Sequence, residues 1–367
     1  MAHEVRPDAG SGATPQAGSA VGTGGRAGRV RRAGRARAGP RARRATMGAM
    51  GETSEQQRPD GASEAASASA SAGPQGGPPP AVYPPERHFL RDLDTATWQV
   101  DAERLVMRSP LTDGVRNAGG SVALGQLAAL VDIAAAPVAL IAGSPDWTAT
   151  QDMSLHATGW LTEGPVVVDA RLVRAGRNTV VVGVDVHDAR GTDDLEALRE
   201  AIDDESSGAP VRAATGLLTF ARIPRSASAS AGSFDPAALV GQHRTMEPPE
   251  PVVRPLLERI GVEVIDAGAG VVEIAHHDYV RNSFGTINGG VLGAVFQAAA
   301  EAVRPALVAT DVQIHYLSQV RTGPARTSVA VSRDAPDHSV VTVRAVDAGH
   351  DDQLLALATV VLQATPG

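Results

Sequence analysis

Residues 281–290 read Arg-Asn-Ser-Phe-Gly-Thr-Ile-Asn-Gly-Gly, and residues 116–125 read Arg-Asn-Ala-Gly-Gly-Ser-Val-Ala-Leu-Gly. Position 125 corresponds to position 290, an offset of 165 residues that also aligns Asp132 with Gln297. The first copy of the motif keeps an acid, whereas the second keeps a double glycine. This complementarity indicates a duplicated chain that builds one composite site where its two halves meet.

Length and composition limit the classes to which this protein can belong. A chain of 367 residues suits two domains of ordinary size plus further sequence. The absence of Cys excludes disulfides, a thiol nucleophile and Cys-ligated metal sites. No group of His, Asp and Glu has metal-ligand spacing, so we expect neither a bound metal nor a redox cofactor.

The N-terminal residues 1–80 consist mainly of Gly, Ala, Ser, Pro and Arg, and we expect them to form a disordered tail. Ten Arg against two acids give residues 1–46 a net charge of +8, which leaves −16 for the remainder because the whole chain carries −8. An acidic body argues against nucleic acid as a partner. The Arg-rich composition stops at Met47, so Met47 or Met50 is an alternative start that would leave residues 1–46 untranslated.

Hydropathy favours a cytoplasmic protein without a membrane partner. We expect no apolar run to reach the roughly 18 to 20 residues that cross a bilayer. No apolar segment of the kind found in signal peptides follows the N-terminal arginines.

Two units follow the tail, and each contains one long helix and a run of strands. Ser121 to Ala136 is rich in Ala and Leu and predicts a buried helix, which Pro137 should end or kink. The second copy predicts a helix ending near Val303, and the acidic segment 190–210 predicts an inserted loop with a helical piece. The predicted strands lie within 97–108, 149–157, 166–174, 179–187, 213–221, 262–265, 271–275, 309–317, 326–332, 339–346 and 354–363.

This order predicts an α+β fold in which a sheet wraps a central helix, built twice. The expected domain boundaries are residues 81–225 and 249–367. A Ser-, Ala- and Gly-rich linker is expected between them, at 226–248.

The motif and the element order resemble the hotdog-fold acyl-CoA thioesterases, in particular the branch of phenylacetyl-CoA thioesterase. That family has Asn, Gly and then His-Gly-Gly at the start of its central helix, with an acid nine positions after the His. The second half matches with Asn282, Gly285 and the triplet Asn288, Gly289, Gly290, but it carries Gln297 at the acid position. The resemblance covers about residues 85–225 and 250–365.

The first half supplies what the second lacks. Asp132 fills the acid position, and Thr150 and Asp152 fill the positions of a strand in which the family has a hydroxyl residue two before an Asp. The resemblance implies a double hotdog, with two long helices side by side and one continuous antiparallel sheet around them. It also implies active sites between the units.

Helix geometry agrees with a site shared between the halves. Leu124 and Asp132 are roughly 12 Å apart along one helix at 1.5 Å per residue, so the start of a helix cannot meet an acid on that same helix. Two composite sites are then available. One joins Asp132 and Thr150 to Asn282 and Gly289, and the other joins Gln297 and Ala309 to Asn117 and Leu124. Only the first contains a carboxylate at the family position.

The resemblance implies a role for each residue of the first composite site. Asp132 acts as general base toward water or attacks the thioester carbonyl directly. The backbone N–H groups of Gly289 and Gly290 stabilise the oxygen as it gains charge. Thr150 orients the water, and Asn282 binds the carbonyl or that water.

Three more residues are expected to bind substrate. Asn288 stands where the family has His. Arg174 and Arg177 flank a hairpin at which family members carry basic residues near the phosphates of coenzyme A.

The resulting prediction is an acyl-CoA thioesterase that releases the free acid and CoA, with CoA as part of the substrate rather than as a cofactor. The alternative is a catalytically degenerate hotdog protein that binds acyl-CoA or a related ligand without turnover, because Asn288 and Gln297 depart from the family pattern. The resemblance also allows a homodimer of double hotdogs.

Overall fold

The computed structural model describes residues 83–204, 210–225 and 235–365. The expected disordered tail and part of the expected linker lie outside these residues. Five α-helices were found in the described part: α1 (Phe89–Asp92), α2 (Leu124–Gly143), α3 (Leu195–Asp203), α4 (Leu256–Arg259) and α5 (Gly289–Val303).

The strands of the described residues form one antiparallel sheet of 13 strands. Their bounds are β1 (Thr95–Gln99), β2 (Arg104–Ser109), β3 (Trp147–Ala157), β4 (Val166–Ala175), β5 (Thr179–Asp188), β6 (Val211–Ile223), β7 (His243–Met246), β8 (Val262–Asp266), β9 (Val271–Ile274), β10 (Val308–Tyr316), β11 (Ala325–Asp334), β12 (His338–Asp347) and β13 (Gln353–Gln363). Their order is β7-β1-β2-β4-β5-β6-β3-β10-β13-β12-β11-β9-β8. The predicted α+β double hotdog is therefore confirmed.

The two halves of the sheet join through β3 and β10. These strands run antiparallel, and His156 lies opposite Asp311 while Asp152 lies opposite His315. Each His also contacts the Asp that faces it, with His156 Nδ1 at 3.2 Å from Asp311 Oδ1 and His315 Nδ1 at 2.5 Å from Asp152 Oδ1. The two halves of the sheet are thus related by an approximate two-fold rotation about its centre.

Helices α2 and α5 cross inside the sheet at small residues that come from matching motif positions. A Cβ on Gly290 would lie 2.4 Å from the Cα of Ala129, and a Cβ on Gly125 would lie 2.6 Å from the Cα of Ala294. Larger side chains at 125 or 290 would therefore push the helices apart. This crossing brings the start of each helix beside the middle of the other.

Helix α2 is longer than the sequence predicts, because Pro137 lies inside it rather than at its end. Proline removes one backbone hydrogen bond from a helix. Burial offsets that loss, since Val138 and Ala139 in the following turn are fully buried in the main core. Of the two expected effects of Pro137, an end of the helix is therefore wrong, and a kink stays a prediction.

The same helix corrects the expectation about apolar runs. Within the described residues, α2 alone is long and apolar enough, by length and composition, to cross a membrane, with a mean hydropathy of 1.9. In this fold 72% of that window is buried inside the protein. The helix is apolar around most of its circumference, because the sheet covers one side and α5 another.

The segment expected as a linker contains ordered elements. Pro236–Leu239 forms a 3-10 turn that packs on α2, and β7 pairs with β1 at the edge of the sheet. The helical piece expected in the acidic insertion is α3, which packs on the outer face of β1 and β2 over a small second core. The domain boundaries themselves stay a prediction.

Candidate active site

Asp132 projects from α2 into the contact with the second half and is only 7% exposed. Its Oδ1 accepts a hydrogen bond of 2.7 Å from the Thr150 hydroxyl. Its Oδ2 faces Gly289, at 3.3 Å from the position that a Cβ on Gly289 would occupy. The structure therefore brings together Asp132, Thr150 and Gly289, which come from α2, β3 and α5.

Burial has the largest effect on the pKa of Asp132. It raises the pKa of this carboxyl, and the hydrogen bond from Thr150 lowers it in part. The backbone N–H of Gly290 also lowers the pKa of Asp132, although the nearest acceptor of that N–H is the side chain of Asn288 at 2.8 Å. A buried carboxyl with a raised pKa is a feature of catalytic bases.

A bulge in the sheet aims Thr150 at the acid. The pairing of β3 with β6 shifts between Thr150 and Asp152, so Gln151 is the extra residue. Bulges of this kind redirect a side chain beside a functional site. The second half has the same shift between Ala309 and Asp311, but Ala309 has no hydroxyl group to offer.

Gly289 and Gly290 of the motif have different structural roles. Gly289 lines the main cavity, and no described residue accepts its backbone N–H. Gly290 faces Ala129 at the helix crossing, and its N–H donates to Asn288. Of the two N–H groups expected to stabilise the developing charge, the one on Gly289 is therefore the one left unpaired.

The two asparagines shape the backbone around the cavity that they line. Asn288 caps α5 through its bond with Gly290 and is 8% exposed. The Asn282 side-chain oxygen accepts the backbone N–H groups of Phe284 at 2.9 Å and Thr286 at 3.2 Å, which fixes the loop before the helix. Asn117 makes the corresponding bonds in the first half.

Tyr316 is a residue of this site that the sequence analysis missed. Its hydroxyl donates to the backbone oxygen of Gly289 at 2.9 Å. Burial, reinforced by the charge of Asp132, raises the pKa of Tyr316 well above its ordinary value, so the hydroxyl keeps its proton. A comparison of the strands would have found it, because the alignment of His156 with His315 places Ala157 opposite Tyr316 in the repeat.

Tyr83 also lies in the same cavity. Its hydroxyl donates to the backbone oxygen of Arg281 at 3.3 Å. Burial raises the pKa of Tyr83, and the charge of Asp132 raises it further. Both tyrosines thus offer neutral hydroxyl groups beside the acid.

The site opens into a cavity of about 520 Å³. Aliphatic and aromatic side chains from both halves line much of it, including Ile133, Leu140, Trp147, Phe220, Ile287 and Leu292. Of the described residues in this lining, two are charged, Asp132 and Arg244. Arg174 and Arg177 are exposed on the β4–β5 hairpin and are not part of it. An apolar cavity with few convergent polar groups is typical of a small-molecule site.

The second composite position differs in chemistry and size. Gln297 occupies the acid position, where its side-chain oxygen accepts the N–H of Gly125 at 2.7 Å and its amide donates to Glu301 at 3.1 Å. Glu301 also accepts the N–H of Ala309 at 3.0 Å. Burial raises the pKa of Glu301. The adjacent cavity measures about 240 Å³ and is lined by neither Gln297 nor Glu301.

Among the described residues, no three His, Asp or Glu side chains lie close enough together to hold a metal ion. The expectation that the protein uses no metal and no cofactor stays a prediction.

Two family models match the chain, one in each half. Residues 119–194 match the Thioesterase superfamily, and residues 279–364 match the Acyl-CoA thioesterase N-terminal domain. Each match contains a central helix and strands of one hotdog unit. No curated protein sequence matches the chain.

Several solved structures resemble this one at low identity. A tesB protein of Mycobacterium avium subs paratuberculosis is 11% identical with a TM-score of 0.45, and the alignment covers 74% of this chain and 96% of that one. An acyl-ACP thioesterase of Bacteroides thetaiotaomicron is 10% identical with a TM-score of 0.42, over 74% and 99% of the two chains. The 12:0-ACP thioesterase of Umbellularia californica is 9% identical with a TM-score of 0.46, over 71% and 94%. Identities this low carry no information about the substrate.

The family matches fall on the two units that the repeat defines, and the one buried acid at the family position lies between those units. Both halves of the chain therefore match models of thioesterase domains, which supports a tandem hotdog thioester hydrolase.

Proposed function

We propose that the protein hydrolyses an acyl-CoA to the free acid and CoA at the composite site around Asp132. The observation that carries the proposal is the position of the Asp132 carboxylate, held by Thr150 on one oxygen and facing Gly289 with the other. The apolar lining of the adjacent cavity suits an acyl group. At about 30 Å³ for each water-sized group, 520 Å³ holds roughly 17 heavy atoms.

Asp132 serves as the general base in this mechanism. Its raised pKa makes its carboxylate form a stronger base than an ordinary carboxylate. It takes a proton from a water molecule, and the water oxygen forms a bond to the thioester carbon. The carbon–sulfur bond then breaks and the thiolate of CoA leaves. Asp132 gives the proton that it took from water to this thiolate.

The carbonyl oxygen gains charge during the attack and needs a donor. The Gly289 N–H lies in the first turn of α5, where the backbone N–H groups lack partners within the helix and the helix dipole is positive. A carbonyl oxygen placed there accepts a hydrogen bond that strengthens as charge develops. The Tyr316 hydroxyl, which donates to the backbone oxygen of Gly289, fixes this peptide unit.

The second candidate function is ligand binding without turnover. The observation that favours it is the bond between Gly290 and Asn288, which removes one of two expected donors from the site. A single N–H at Gly289 stabilises the developing charge less than a pair would.

Thioester hydrolysis by the full chain, measured across short, long and aromatic acyl-CoAs, separates the two functions. We expect turnover in the wild type and a loss of about 10²- to 10⁴-fold in the Asp132→Asn variant. Asp337→Asn, at an exposed turn, is the matched control and should retain full activity. If the wild type binds acyl-CoA but hydrolyses it no faster than Asp132→Asn does, the protein is a binder.

A cytoplasmic location and a homodimer stay predictions.

A further inference from the structure

Among the described residues, Arg244 is the single cation in the lining of the main cavity, and it comes from the segment that joins the halves. It lies on β7 opposite Thr97 of β1. The adjacent His243 stacks on Trp98 at the outer face of the sheet, with 5.0 Å between ring centroids, while Met246 packs on the main core. Since side chains alternate along a strand, Arg244 points to the inner face where α2 lies.

No hydrogen bond or ion pair joins the Arg244 guanidinium to any described residue. Arg244 lines the cavity but is an exposed residue, and partial desolvation lowers the pKa of its guanidinium. It also forms no ion pair with Asp132, the other charged residue of the lining. Its planar fork of donors is therefore free to hold an oxyanion at some distance from the acid.

The two composite positions also differ in whether a strand such as β7 lies beside them. The sheet begins with β7 beside β1 and ends with β8 beside β9, so the described part of the second half has no strand that corresponds to β7. Arg244 thus serves the cavity that contains Asp132. Leu239, from the same joining segment, lines this cavity as well.

We infer that Arg244 binds an oxyanion carried by the substrate away from its thioester, either a phosphate of the thiol carrier or a carboxylate on the acyl chain. The inference rests on the proposed function, in which a thioester occupies this cavity. It assigns a specificity role to the joining segment, and it differs from the expectation that placed phosphate binding at Arg174 and Arg177.

Binding of thioether analogues, which cannot be hydrolysed, tests the inference separately from turnover. The full chain and its Arg244→Gln variant are titrated by calorimetry with three ligands. These are the thioether analogue of octanoyl-CoA, the same octanoyl group on N-acetylcysteamine, and an N-acetylcysteamine analogue whose eight-carbon chain ends in a carboxylate. The matched control is Arg344→Gln, an exposed arginine of β12 on the outer face of the sheet.

We expect Arg244→Gln to weaken one charged ligand by about tenfold, as loss of a charge-assisted hydrogen bond would, and to leave the neutral analogue unchanged. A loss confined to the CoA analogue identifies a carrier phosphate, and a loss confined to the carboxylate analogue identifies the acyl chain. Equal losses for all three ligands, no loss for any, no binding by the wild type, or the same losses in Arg344→Gln would overturn the inference. A wild type that binds but does not hydrolyse acyl-CoA would defeat the proposed function and leave this inference intact.

Discussion

The Asp132 carboxylate of the first half lies against Gly289 of the second, with Oδ2 at 3.3 Å from the position of a Cβ on Gly289. The acid and the open helix start therefore belong to different copies of one motif. A polypeptide that contained either half alone would lack one side of the site. Each copy of the motif therefore supplies a residue that the other does not have.

Replacing Asp132 by Asn should make the protein more stable as well as inactive. Burial raises the pKa of Asp132, so its charged form is unfavourable in the folded state. Its contribution to stability is present below the pKa of an unfolded Asp, about 3.9, and is lost as the pH rises through the folded pKa. The unfolding free energy of Asp132→Asn minus that of the wild type should increase as the pH rises through that window and then level off. Denaturant unfolding at a series of pH values measures it, and a variant less stable than the wild type at pH 7 would refute this account.

Alanine substitutions at Gly290 and Gly289 should have different effects, the first on stability and the second on activity. A Cβ on Gly290 would lie 2.4 Å from backbone of α2, so Gly290→Ala should lower the unfolding free energy by about 1 to 3 kcal/mol. Gly125→Ala, with its 2.6 Å approach to Ala294, is the matched variant and should cost a similar amount.

Gly289→Ala places its Cβ 3.3 Å from Asp132 and Tyr316, which can shift by a few tenths of an ångström. It should stay folded and lose about tenfold or more in kcat/KM because the reacting groups are displaced. Thermal denaturation and steady-state rates of the three variants provide the test. A Gly290→Ala protein as stable as the wild type would contradict the helix crossing.

Removal of the Tyr316 hydroxyl should reduce kcat more than it changes KM. Tyr316→Phe leaves the ring in place but frees the peptide oxygen of Gly289, so the N–H that faces the substrate is less firmly held. We expect kcat to fall by about tenfold, less than the loss of a direct oxyanion donor. Steady-state kinetics with the best acyl-CoA would show it. A purely structural role would instead lower the melting temperature and leave kcat of the folded enzyme unchanged.

Asp347 should contribute to stability at neutral pH and less in acid. Its carboxylate is fully buried and accepts the backbone N–H groups of Arg321 at 2.7 Å, Thr322 at 3.0 Å and Gly323 at 2.7 Å. Burial acts to raise the pKa of Asp347, but the backbone hydrogen bonds outweigh it and lower the pKa. A lowered pKa gives stability that is present above the unfolded value of about 3.9 and is lost as the pH falls through the folded pKa.

Asp347→Asn should therefore cost about 2 kcal/mol at pH 7, and this cost should shrink in acid. Asp188 holds the loop 162–164 of the first half in the same way, so Asp188→Asn should behave alike. Unfolding of both variants at pH 7 and pH 3 provides the measurement. A cost that does not depend on pH would show that the charge of these groups is not what matters.

Much of this protein can be read from local patterns in the sequence. The constant offset between two motif copies determined the duplication, and the alternation of apolar residues placed most strands of the sheet to within a few residues, although it missed β7. The pairing of Asp132 with Gly289 was implied by the resemblance to the hotdog thioesterases, and the length of a helix agrees with it, because Asp132 cannot reach the start of its own helix. These features depend on residues that are near one another in the chain or on a repeat that can be counted.

Only the tertiary structure decided the features that depend on contacts between distant residues. Pro137 remains in α2 because the core buries the following turn. Gly290 is needed at a helix crossing, while Gly289 alone faces the cavity. Tyr316 and Arg244 reach the site through strand pairing and the alternation of side chains, from segments that the motif does not include. Local propensity cannot show which of the 3 Tyr and 33 Arg residues the folded chain turns toward one cavity, since that depends on packing across the whole sheet.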